Sequence, residues 1–113
     1  MTELRKILGQ LSPAATVLTD FYTVVSSSGN NEAVSSTLVI CNRGGTSATF
    51  RVSVAVNGAV NAPEQYLFFD TVIAKNSTVT ATIGITLGYG DVVRVYSSNT
   101  NLSFNLFGVE IFK

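Results

Sequence analysis

From Phe50 to Val56 an apolar side chain recurs at every second residue. Phe50, Val52, Val54 and Val56 share one parity, while Thr49, Arg51, Ser53 and Ala55 share the other. A period of two belongs to a β-strand with one face in a core and the other toward water. Just upstream, Ser36-Thr37-Leu38-Val39-Ile40-Cys41 reads as a second strand. Asn42-Arg43-Gly44-Gly45-Thr46 separates the two runs. Adjacent glycines are expected to supply the positive φ values of a tight turn, so the pair reads as a hairpin. A helix has no use for this pattern.

The remaining chain follows the same grammar. Residues 16–25 read as an earlier strand with Val17, Phe21 and Val24 toward the core, followed by a polar connection at 26–31. Asn57-Gly58 is a turn dipeptide, and Pro63 argues against ladder pairing at that point. Gln65-Tyr66-Leu67-Phe68-Phe69 is an unbroken apolar and aromatic run, continued by residues 70–74. Such a run fits a strand covered on both faces, or one whose outer face is a contact surface. Residues 78–87 read as one strand with Val79, Ala81, Ile83, Ile85 and Leu87 inward and threonines outward. After a turn at Gly88-Tyr89-Gly90-Asp91 come a strand at 92–96, a polar turn at 97–101 and a last strand at 102–112. There the apolar parity changes near Phe107-Gly108, which predicts a bulge at Gly108.

Seven or eight short strands with turn signals between them predict an all-β fold. The expected form is an antiparallel β-sandwich, jelly-roll or immunoglobulin-like. The 113 residues make one domain at 14–113, preceded by a short N-terminal arm at 1–13. In the arm, Leu4, Ile7 and Leu8 fall at i, i+3 and i+4, the spacing of a helical turn. A helix so short is marginal alone, so the arm is expected to order against the domain or a neighbouring subunit. Removing residues 1–10 is then expected to leave the sandwich folded and to weaken assembly.

Charged residues make up only 12%, and seven basic and seven acidic side chains cancel. Low charge at zero net charge favours association, so part of the surface is expected to be covered in a homo-oligomer, a trimer being favoured. There is no basic block, which argues against a nucleic-acid partner. No stretch reaches the roughly 18 apolar residues of a membrane helix. The first ten residues lack the apolar core of an export signal, so synthesis in a cytoplasm without export is expected. The candidate partner-binding residues are Leu4, Ile7 and Leu8 in the arm and Tyr66 and Phe68 in the aromatic run.

The chain has no histidine and one cysteine, Cys41. Without histidine no Ser-His-Asp or Cys-His nucleophile can be assembled. Cys41, in an apolar strand, reads as a small core residue. A metal site would have to draw on scattered carboxylates, and none has ligand spacing; Asp70 and Asp91 are the nearest to a calcium loop. A glycosidase pair of Glu64 with Asp70 or Asp91 is the remaining catalytic option. The Gly84–Gly90 stretch lacks the Lys-Ser/Thr ending of a phosphate loop. No enzyme, cofactor or metal is expected.

Several stretches carry a family resemblance. Leu18-Thr19-Asp20-Phe21-Tyr22-Thr23-Val24 is one, and Cys41-Asn42-Arg43-Gly44 leading into residues 48–56 is a second. Gln65-Tyr66-Leu67 with Asp70, then residues 81–87 and 91–96, is a third, and residues 102–111 close the set. Together they resemble small all-β virion proteins of tailed bacteriophages, including those of cyanobacterial and other aquatic hosts. Val25 stands where many such sequences carry proline. The resemblance implies a non-enzymatic structural protein located in the virion. It would be a capsid decoration (cement) protein bound to the major capsid protein, its arm reaching across a seam. The alternative is a tail, baseplate or fibre component bound to tail proteins, with an adaptor or receptor-binding role. A carbohydrate-binding module is the third reading.

Overall fold

The computed structural model describes residues 2–24 and 31–112. The alternating run folds as strand β4 (Ala48–Ala55), preceded by β1 (Thr2–Leu11), β2 (Thr19–Thr23) and β3 (Glu32–Asn42). After it come β5 (Tyr66–Ile73), β6 (Thr78–Ala81), β7 (Thr86–Leu87), β8 (Val92–Ser97) and β9 (Leu102–Phe112). Single 3-10 turns at Val56–Gly58 and Pro63–Gln65 lie in the β4–β5 connection. All these strands pair antiparallel, in two sheets. One runs β1-β9-β3-β6, with β7 also on β3, and the other runs β2-β8-β4-β5. The connection expected at 26–31 lies, apart from Asn31, outside the described residues, as does Val25.

The outermost pairings are nested. β1 pairs with β9, β2 with β8, β3 with β6 and β7, and β4 with β5. A long antiparallel ribbon rolled across itself gives this order, and that is the jelly roll. An immunoglobulin-like sheet would instead pair the first strand with the second. The sandwich expected from the strand pattern is therefore present, and its topology is the jelly roll.

Between the sheets Phe50 and Phe104, both fully buried, meet edge to face at 6.2 Å. Phe68 leans on Phe50 at 5.6 Å, and Phe21 on Phe104 at 6.2 Å. Leu38, Ile40, Val52, Val93, Val95, Leu102 and Leu106 complete the layer, each at most 1% exposed. Burying each such side chain contributes about 1.5–3 kcal/mol.

The structure corrects several expectations. β3 and β4 are strands, but they lie in different sheets and do not form a hairpin. Their connection is a corner, held by buried Asn42, whose Oδ1 accepts from the Gly44 N–H at 2.9 Å and whose Nδ2 donates to the Thr46 carbonyl at 2.9 Å. Neither Gly44 nor Gly45 has a positive φ. Gly44 is needed for space, since a Cβ there would stand 3.0 Å from Asn101 Cβ. Positive φ occurs instead at Asn57 (51°) and Gly58 (69°), so Val56 lies outside β4 and is 77% exposed.

The helical spacing of Leu4, Ile7 and Leu8 is not realised. Residues 2–11 form β1, paired along the length of β9. Their parity passes through a bulge at Leu8, where Leu8 and Gly9 both turn inward; a bulge and a helical turn look alike in so short a pattern. Residues 78–87 keep the expected inward parity but are interrupted between β6 and β7. Ser35 bridges the gap, its Oγ accepting from the Ile85 N–H at 3.1 Å and donating to the Ile83 carbonyl at 3.2 Å.

β9 carries no bulge. The extra residues belong to its neighbours, Leu8 in β1 and Ser36 in β3, on either side of Phe107-Gly108. Its even-numbered residues stay inward as far as Glu110, so Phe107, Val109 and Ile111 are on the outer face, half-buried. Cys41 also turns outward, beside Ser103 and Thr78, and is half-exposed; the parity of β3 takes it out of the core.

Candidate functional site

Two outer surfaces carry apolar side chains that the core does not use. The first lies on β5 and the connection before it. β5 has two register breaks against β4, one on each side of Phe68. At the second, Asp70 takes a φ of 48°, a region L residues seldom occupy. The breaks let Phe68 face the core while Tyr66 and Phe69 both face out. Strict alternation would have put Tyr66 and Phe68 on one face.

Phe69 is 56% exposed and meets Tyr66 edge-on at 4.9 Å. The Arg51 guanidinium lies 4.2 Å from the Phe69 ring centre and 4.3 Å from that of Tyr96. Asp70 accepts from Arg51 Nε at 2.6 Å and Nη2 at 3.2 Å, which fixes the guanidinium between the rings. The ion pair is partly solvated and adds little by itself; its role is to hold Phe69 in place. Asn61, Ala62, Pro63, Tyr66 and Phe69 enclose an open pocket of about 430 Å³. Tyr66 donates to Asn61 Oδ1 at 3.0 Å, and Gln65 Nε2 to the Val60 carbonyl at 2.9 Å. Leu67, Val72 and Val60 extend the exposed apolar surface.

The second surface is the outer face of β1, β9 and β3. Ile7 stands opposite Phe107, and Arg5 opposite Val109, which in turn faces Val34. Beside them Arg5, Lys6, Ile7, Ser36 and Phe107 border an open depression of about 560 Å³. Ile7 is 46% exposed.

Of the five candidate residues, Leu8 is in the core at 8% exposure, and Phe68 packs against it. Ile7 lies on the outer face of β1, Leu4 on its opposite face beside Glu110, and Tyr66 on the other sheet. The structure thus does not gather them on one surface. Phe69, Arg51 and Tyr96 were missed as a group. Arg51 already had the outward parity of β4, and an Asp after the aromatic run was the available hint of a break.

Two of the three carboxylates weighed as catalytic are held in structural contacts. Asp70 binds Arg51. Asp91 accepts from the Asn57 N–H at 2.9 Å and the Gly88 N–H at 2.8 Å. Glu64 sits exposed in the Pro63–Gln65 turn. Among the described residues no three His, Cys, Asp or Glu side chains gather as a metal-holding group, and no helix is long and apolar enough to cross a membrane.

Neither a protein-family model nor a curated protein matches the chain. Among solved structures, a chain from infectious bursal disease virus, Gx strain, superposes on 96% of this chain with a TM-score of 0.52 at 8% identity. This chain spans only 30% of that one. A pentameric capsid protein isolated from metagenomic phage sequences aligns over 96% of this chain and 57% of its own, at 11% identity and a TM-score of 0.31. The first likeness is one of fold: the jelly roll read from the strand order is also found in a virus particle.

Proposed function

We propose that the protein is a non-enzymatic structural component of a virion, and that it decorates the head as a cement protein against the major capsid protein. The observation that carries this reading is where the spare apolar surface lies. It is spread over two outer faces of a jelly roll, around Phe69 and around Ile7, and does not converge on a single cleft. Side chains so placed suit contacts with other proteins. Repeated over a shell, modest contacts of this kind add up without high affinity at one site. The aromatic surface on β5 is the face offered to the capsid protein. The fold shared with a chain of a virus particle, and the resemblance to small phage virion proteins, agree with this assignment.

Quantitative mass spectrometry of purified particles tests it. Decoration requires on the order of hundreds of copies per particle, whereas an axial tail supplies a few to some dozens. A count in the lower range would move the protein to the tail, and absence from particles would remove it from the virion.

A further inference from the structure

Among the described residues the two sheets have four edges, one of them shared by β6 and β7, and three of the four are poor templates for another chain. β5 is broken twice, β2 is five residues long with a register break, and β6 and β7 are short and interrupted. Bulged and short edges are how sheets avoid pairing with strangers. β1 differs. From Thr2 to Ile7 it is regular, it pairs on one side only, and it contains no proline. A charge directed over the sheet would also guard an edge, but Lys6 is turned onto Glu110 at 3.2 Å.

Glu3 and Arg5 both lie on the outer face of β1, and neither has an ion-pair partner among the described residues. We propose that β1 is a self-complementary edge, and that two copies of the chain join by antiparallel β1–β1 pairing about a two-fold axis at Leu4. This goes beyond the virion assignment and does not depend on it.

The charge pattern selects the register. A two-fold axis perpendicular to the sheet keeps outer faces together, so opposed residues must share parity. Centring on Glu3, Arg5 or Lys6 would set like charges against each other at the axis. Centring on Leu4 sets Glu3 against Arg5 of the second copy, twice, and Leu4 against its own copy. The bulge at Leu8 ends the regular edge and excludes a longer overlap. Pairing would satisfy the unpaired backbone groups of the edge, cover Leu4, and extend the outer face around Ile7 and Phe107 across two subunits.

Sedimentation equilibrium on the full chain and three variants decides the matter. The wild type is expected to be a dimer. Glu3→Arg and Arg5→Glu each place like charges opposite one another and should weaken dimerisation by about tenfold or more. The double variant Glu3→Arg/Arg5→Glu restores opposite charges and should recover the dimer, with unchanged circular dichroism throughout. A wild type that remains monomeric at about 100 μM, weaker than the affinity range of ordinary specific contacts, would overturn the proposal. So would a dimer or trimer indifferent to the single reversals, because its interface would lie elsewhere. A double variant no tighter than the singles would overturn the register.

Discussion

The Tyr22 hydroxyl donates to Glu110 Oε2 at 2.6 Å, joining β2 of one sheet to β9 of the other. Lys6 completes the group from β1. Burial, then the hydrogen bond to Glu110 and its charge, push the Tyr22 pKa well above the ordinary tyrosine value. The folded state therefore holds this proton more tightly than the unfolded chain does. The resulting stability is complete below the unfolded value of about 10 and is lost as pH climbs above it. Tyr22→Phe should cost about 1–2 kcal/mol near neutral pH, because the Glu110 carboxylate loses a donor. Above about pH 10 the gap between the two proteins should narrow, as urea unfolding at a series of pH values would show. A constant gap would mean that the hydroxyl does not titrate with unfolding.

Phe50 touches both Phe68 and Phe104 and has no exposed surface. Phe50→Ala should lower stability by about 3–5 kcal/mol in denaturant titration. A loss under about 1 kcal/mol would place the ring outside the core.

Gly108 sits where β9 passes the bulges of both neighbours. A Cβ there would overlap the Val34 carbonyl and stand 2.8 Å from Ser35 Cα, both of them backbone atoms that cannot rotate away. Gly108→Ala should cost about 3 kcal/mol, at the upper end for overpacking, and loosen the β3–β9 ladder. Hydrogen exchange would register the change at Val34 and Ser35. Exchange as slow as in the wild type would contradict it.

β1 covers β9 from Phe104 to Phe112 and adds Leu8 and Leu11 to the core. From that pairing we predict that residues 1–10 are needed for folding, against the expectation that they are dispensable. Their removal would bare the edge of β9 and subtract about 1.5–3 kcal/mol for Leu8 alone. Thermal melts should show a truncated chain that unfolds at much lower temperature or aggregates. A cooperative melt near that of the full chain would show that β1 is an accessory strand.

What could be read from the sequence was local. The alternation in β4 gives Phe50 and Val52 their places, and inward parity held from Val79 to Leu87 even across the break. The break itself depends on the Ser35 hydroxyl, which no nearby residue announces. The pairings that distinguish a jelly roll from other sandwiches join positions as far apart as Thr2 and Phe112, beyond the reach of any local pattern. The surface around Phe69 was hidden for a related reason. Its position comes from two register breaks in β5, and a period-two reading places Phe68 there instead.

Immunogold electron microscopy of intact particles, with an antibody proven on the native protein, tests the virion assignment most directly. Gold spread over the head is the predicted result. Gold confined to the tail would contradict decoration, and particles without label would contradict an exposed place on the virion altogether.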